Sequence, residues 1–431
     1  MPLIAHTALL LAFLFHGSAV AAFQATSPAP GLEVYWSEAD GHETSGVTVH
    51  VELLTGLEDE SESSLGDTAA TVAWLLRAPL LPGNGSSLQE LATEAGIEVL
   101  TEVDWRHVSV TLWAPEALGD YALWLAAARL SESPPPVEAS ALQAGLDALS
   151  TQWQEDAVGP LGDGFETIRR HMLGLRQGST RLSSYLHADR MEDADLIQAA
   201  TQSASKAAAR VIVVAPGPTL RRLQEKSEGN FATAAPRPLA KTHTMTEHRR
   251  SKGGTEGRLV QQYDRRHRAL MAWRLPPRPD GKSSWQPVHT AALLSLSYWA
   301  RHLGGGPSRE LVFGHAIAHK IESRAWLYPS PALAVEATSR GRDMSDLKRR
   351  LASSIERLAS QPLSRGETSA MATLAKNWLQ MRWDYGPDRA RLIGELASVG
   401  ELDPERWLDT ITAALDNLTP SQVTEFVKAG L

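Results

Sequence analysis

The sequence predicts an α+β chain built as two related halves, each a sheet covered by helices. Three observations carry this. Val47, Val49, Val51 and Leu53 alternate with polar neighbours, the two-residue period of a half-buried strand. From Gly66 the period changes: Ala69, Val72, Ala73 and Leu76 fall at i, i+3, i+4 and i+7, one face of a helix. The strand-then-helix order then returns after Leu259, beyond a polar gap rich in Pro and Gly.

The elements follow in order. Leu32 to Trp36 and Val47 to Leu54 read as strands, and a helix opens near Gly66. Val108, Val110 and Leu112 extend the sheet, and Leu118 to Leu130 is a helix with Tyr121, Leu123, Trp124 and Ala127. Pro134-Pro-Pro136 breaks the chain before a helical pattern at Ala139 to Gln154. Gly159 to Gly164 reads as a turn, helices of mixed polarity run on to Ala208, and the β-run Arg210 to Ala215 closes the first half. The aperiodic stretch from about Gly229 to Gly257 reads as an interdomain linker. The second half starts with strands at Leu259 to Tyr263 and Ala269 to Arg274, then a long helix at Val288 to Arg301.

Composition narrows the function. At 431 residues, 43% hydrophobic and 21% charged, the chain is globular and long enough for two or three domains. A formal charge of −8 offers no basic surface for nucleic acid, and the Arg-rich runs Arg249-Arg250 and Arg265 to Arg268 sit among acidic residues. The absence of Cys excludes disulfides and thiolate metal sites. Met1 to Ala22 reads as a secretory signal peptide. Its apolar run Ala8 to Phe15 is shorter than the about 20 residues that span a bilayer, and Ala19-Val-Ala21 offers a small-x-small cleavage site. An exported, periplasmic or secreted protein without a stable membrane anchor is expected, with Phe23 to Pro30 as a short tether.

The stretch Thr55-Gly-Leu-Glu-Asp-Glu60, continuing through Leu65-Gly-Asp-Thr-Ala-Ala-Thr-Val-Ala-Trp-Leu-Leu76, resembles the entry to the metal site of the insulinase, pitrilysin and mitochondrial processing peptidase family. The likeness continues through Ser87 to Glu98, a strand with a central Asp at Thr101 to Leu112, the β-run Arg210 to Gly217, and, in the second half, Arg268 to Pro276 and Leu303-Gly-Gly-Gly-Pro-Ser-Arg309. It extends from about Gly31 to the C-terminus. The resemblance implies two α/β-roll halves with mainly antiparallel sheets, and a zinc metalloendopeptidase scaffold. It also implies domain boundaries of 1–22 (signal peptide), 23–30 (tether), 31–228 (N-terminal domain), 229–257 (linker) and 258–431 (C-terminal domain).

In that family the helix carries H-x-x-E-H, two His as zinc ligands and a Glu as general base. The matching positions here are Ala69, Val72 and Ala73, none of which ligates a metal or accepts a proton from water. The third ligand, a downstream Glu, matches Leu149 or Ser150 in a segment whose one acid is Asp147. The Arg and Tyr with which the family's second half holds substrate backbone match Val312 and His319; Arg309, Arg324 and Tyr328 lie nearby at other spacings. The resemblance therefore implies a pseudo-peptidase with no catalytic residues, no metal and no cofactor at the family site. One rival set is His315, His319 and Glu322, which on a helix would share a face as a His/His/Glu zinc site. Ala316 stands where such a motif has its base, and the same residues read as a His-bearing surface strip. No G-x-S-x-G, P-loop or G-x-G-x-x-G occurs.

Family members of this size commonly pair into a clamshell of four related domains around a chamber. The expected function is thus the noncatalytic subunit of an exported insulinase-type metalloprotease. It would enclose and orient peptide for a metal-competent homologue in a heterodimer. The alternatives are a stand-alone periplasmic protein that binds a peptide or protein, and a metalloenzyme using His315, His319 and Glu322.

Overall fold

The computed structural model describes residues 23–39, 46–81, 85–131, 135–158, 179–235, 237–238, 256–263, 266–274, 286–302, 305–327, 332–339, 341 and 344–430. The signal-peptide reading, the turn at 159–164 and the middle of the linker lie outside them.

Six strands form the first sheet: β1 (Phe23–Ala29), β2 (Leu32–Ala39), β3 (Gly46–Leu53), β4 (Glu98–Val103), β5 (Val108–Pro115) and β6 (Ala209–Pro216). Their order is β1-β2-β6-β3-β5-β4. Only β2 and β6 run parallel among these neighbours; the other pairings are antiparallel. A parallel pair needs a long crossover, and the stretch between β2 and β6, which includes β3, β4 and β5, supplies it. That stretch holds α1 (Asp67–Arg77) and α2 (Leu88–Glu94) before β4, then α3 (Gly119–Arg129), α4 (Ala139–Val158), α5 (Arg181–Ala188) and α6 (Asp193–Lys206); α7 (Gly217–Asn230) follows β6. Val47, Val49, Val51 and Leu53 of β3 pack under α1, α3 and α4 in one apolar core.

The second sheet is antiparallel throughout: β7 (Glu256–Tyr263), β8 (Arg266–Arg274), β10 (Ala332–Ser339) and β9 (Ala318–Trp326), in that order. Helices α8 (Pro287–Arg301), α9 (Met344–Glu356), α10 (Arg365–Asp384), α11 (Gly386–Ala397), α12 (Pro404–Asp416) and α13 (Pro420–Gly430) complete this half. The expected mixed fold of two sheet-and-helix halves is what the chain adopts. No helix among the described residues is long and apolar enough to cross a membrane.

Three expectations change. The residues read as a tether form strand β1, held on β2 in antiparallel register from Phe23 against Ser37. The linker is shorter than its composition indicates. Phe231 is buried, Ala235 N–H donates to Leu130 C=O at 2.9 Å, and Arg237 N–H donates to Pro30 C=O at 2.8 Å, so the first half extends to about residue 238. Strand β7 already begins at Glu256. Finally, β3 is not half-buried, because all eight of its residues are inaccessible. Its polar face, Thr48, His50 and Glu52, is covered by α11, which arrives from the second half of the sequence. A third apolar cluster joins the halves, packing Tyr35, Ile212 and Val214 of the first sheet against Leu379, Leu392, Ile393 and Leu396.

Candidate functional site

Helix α1 is central, not peripheral: every residue from Thr68 to Leu76 is buried. It starts at Gly66, whose φ of 98° is left-handed backbone that Gly adopts without a Cβ penalty. The free N–H groups of its first turn need partners. Thr68 N–H donates to Glu60 Oε1 at 2.8 Å, and Ala69 N–H donates to Ser184 Oγ at 3.2 Å. Glu60, from the acidic turn, also accepts from the hydroxyls of Ser179 and Ser184. Burial pushes its carboxyl above the usual range, and the three groups donating to it pull the other way. The acidic turn is therefore a helix cap.

The positions matched to ligands and base are filled with core. Ala69, Val72 and Ala73 are wholly inaccessible. Helix α4 packs on α1 and closes over Ala73: a Cβ placed on Gly145 would stand 3.0 Å from both Cα and Cβ of Ala73. Leu149, at the third-ligand match, is buried in the same cluster with Leu142, Leu146 and Trp153. A zinc ion needs N, O or S donors and an open position for water. This face presents methyl groups in van der Waals contact, so the residues do not fit the metal.

The rival set is dispersed. Residues Ala318 to Trp326 are strand β9, not helix. On a strand, residues three apart point to opposite faces, which separates His319 from Glu322. His315 closes a π-helical turn (Arg309–Gly314) whose course ends at Ala316 with φ of 53°. His315 Nε2 lies 3.0 Å from Arg350 Nη1, and Glu322 pairs with Lys320. Among the described residues no three His, Asp or Glu side chains are grouped to hold a metal. Val312 is buried and His319 exposed, while Tyr328 lies outside the described residues.

A second constellation was missed in the sequence. On the covered face of the first sheet, Glu52 is fully buried and held from several sides. His50 Nε2 lies 3.2 Å from Oε1, His107 Nε2 lies 3.9 Å from the same oxygen, and Arg210 Nη1 donates to Oε2 at 2.9 Å. Arg210 also donates to Gly394 C=O and Ser398 Oγ, each at 3.0 Å, and to Glu33 at 3.3 Å. Burial opposes the charge on Glu52, yet His107, His50 and Arg210 together hold its carboxyl well below the usual range. Burial likewise opposes a charged His107, but Glu52, Asp104, Glu102 and Glu395 outweigh it and raise the imidazole. These are the signs of a structural ion network tying the two halves together. The only signal for it was the polar alternation of β3, which also describes a solvated face.

Beside this network, between the halves, lies a cavity of about 440 Å³. The β4–β5 turn of the first half contributes Asp104 and His107, and the second half contributes Tyr298 and Arg301 of α8, Trp326 of β9 and Trp378 of α10.

No family model matches the chain, and no curated protein sequence matches it. Solved structures do share its fold. A protease from Helicobacter pylori is 13% identical with a TM-score of 0.67, covering 95% of this chain and 96% of that one. A peptidase M16 inactive domain from Pseudomonas fluorescens is 14% identical with a TM-score of 0.68, covering 95% of each chain. The periplasmic protease PqqL from Escherichia coli is 16% identical with a TM-score of 0.58, and 95% of this chain aligns with 44% of that one. At such identities the likeness establishes the fold, which is that of the insulinase-like M16 peptidases.

Proposed function

We propose that this chain is a pseudo-peptidase: a noncatalytic subunit of an exported insulinase-type metalloprotease that encloses and orients peptide for a zinc-bearing partner. The observation that carries the reading is the filled face of α1. Ala69, Val72 and Ala73 are inaccessible, and Ala73 lies against the Gly145 backbone of α4, so the fold persists where the metal chemistry does not. Hydrolysis of an amide at neutral pH needs an activated water, and neither a metal site nor a base is present at this position. What remains is a rigid scaffold that can hold a substrate in place, a contribution of orientation alone. The fold shared with an inactive M16 domain supports this reading. So does PqqL, of which this chain matches slightly less than half, as expected if single-chain relatives contain two such units. Export rests on the leader-like Met1 to Ala22 and on the likeness to a periplasmic protease.

The test is reconstitution. The purified chain is mixed with a homologue from the same organism that retains H-x-x-E-H, and peptide turnover is compared with that of each alone. The proposal expects a stable complex and turnover well above that of either chain. A homologue fully active by itself that never binds this chain would overturn it, and a stand-alone peptide-holding role, for which the cavity between the halves provides a place, would replace it.

A further inference from the structure

We propose that the cavity between the halves binds a monocarboxylate carrying an aromatic or large apolar body, such as the C-terminal residue of a peptide or a free aryl-bearing acid. The site is formed within one chain, so the inference holds whether or not the chain pairs with another. Its volume of about 440 Å³ suits a ligand of one or two residues. Most charges in its wall are satisfied internally. Arg382 pairs with Glu395 at 3.2 Å, Arg391 with Glu102 at 3.0 Å and Asp388 at 3.4 Å, and His107 reaches back to Glu52.

Arg301 differs. It ends α8 at the cavity wall, is exposed, lies 4.2 Å from the Tyr298 ring centroid, and makes no ion pair among the described residues. A stacked guanidinium keeps its planar fork for a carboxylate. Burial raises the Tyr298 phenol, while the charge and hydrogen bonding of Arg301 pull it the other way, so the ring and the guanidinium face the cavity as a pair.

The apolar part of the ligand has its own surface. Trp326, Leu327 and Trp378 line the cavity. On α10 the apolar strip runs outward from Trp378 to Leu374 and Met381, which are 37% and 70% exposed. These three fall at i−4, i and i+3, a single helical face. The sign and number of charges decide the anion. Glu102, Asp388 and Glu395 are offset by Arg382 and Arg391, so these paired charges leave the Arg301 end with one positive charge to offer, which a single carboxylate matches.

The test is titration calorimetry with acetyl-Ala-Phe bearing a free C-terminus, its C-terminal amide, and N-acetylphenylalanine. Both acids are expected to bind saturably at one site, with the amide at least about tenfold weaker, the scale of one charge-assisted contact. Arg301→Gln should weaken the acids by a similar factor and leave the amide unchanged. Trp378→Leu should weaken all three, and Lys226→Gln, an exposed charge outside the cavity, should change nothing. A preference for the dipeptide over N-acetylphenylalanine assigns the site to peptide ends; equal binding assigns it to small acids; both uphold the carboxylate site. No saturable binding, equal affinity for acid and amide, or acid binding unaltered in Arg301→Gln would overturn it.

Discussion

Glu52 and Glu60 show how much one carboxylate's surroundings decide. Burial pushes both carboxyls up; for Glu60 the hydroxyls and one amide that donate to it do not offset this, while for Glu52 His107, His50 and Arg210 outweigh it and pull the carboxyl down. Removing Glu60 leaves Thr68 N–H and two serine hydroxyls without their acceptor, so Glu60→Ala should destabilise by about 1–3 kcal/mol in chemical denaturation. Arg210→Ala should cost more, about 3–5 kcal/mol, because it strands a buried charge. The pH dependence follows from the two shifts. Glu52, lowered from 4.5 to about 2, contributes stability that is present above pH 4.5 and lost as pH falls toward 2. His107, raised above 6.5, contributes stability that is present below pH 6.5 and lost as pH rises through its folded value. Thermal unfolding of Glu52→Gln should therefore show a flatter acid limb than wild type, and His107→Gln a flatter limb above pH 6.5. Identical pH profiles would mean the network does not hold these protons. None of this was legible at residue level: His50 and Glu52 alternate with valines just as solvated residues would, and the helix covering them starts more than 300 positions later, at Gly386.

At the scale of elements, the sequence carried most where a period was unbroken. The valines of β3, the helical face from Ala69 to Leu76 and the helix ending at Arg301 are local patterns, and the structure contains each. It carried least where partners decide. The stretch from Phe23 has turn-like Pro and Ser but becomes an edge strand because β2 offers unpaired backbone. Residues His315 to Glu322 permit a helical reading, but the register of β9 on β10, Ile321 against Ala337, makes Ala318 onward a strand. Helix α11 presses its backbone onto β3, and a Cβ on Gly394 would overlap the Glu52 carboxylate. Gly394→Ala should then destabilise by about 1–3 kcal/mol despite its better helix propensity. A stabilised variant would show that the helix does not sit this close. The same logic applies to α1. Writing H-x-x-E-H back as Ala69→His, Val72→Glu and Ala73→His forces large polar groups into space closed by Gly145, and should unfold the half without creating a zinc site.

For the whole molecule, the halves are distinct in sequence order but not independent in packing. Leu379, Leu392, Ile393 and Leu396 close the face of the first sheet that carries Tyr35, Ile212 and Val214, and the ion network crosses the same boundary. Limited proteolysis is expected to cut between residues 238 and 256, and the two fragments should still co-elute in native size-exclusion chromatography. Separation without denaturant would contradict the shared core. The two-half plan was legible because the strand–helix order repeats; the shared core was not, because its two sides are far apart in the chain and each reads locally as an ordinary amphipathic face.

The filled metal position is tested most directly by zinc stoichiometry. Protein carrying His315→Ala and His319→Ala, loaded with excess zinc and desalted, is analysed for bound metal. A packed apolar α1 face predicts well under one equivalent, with melting temperature unchanged by zinc. One tightly held equivalent, lost on substitution of residues around α1 and α4, would contradict it.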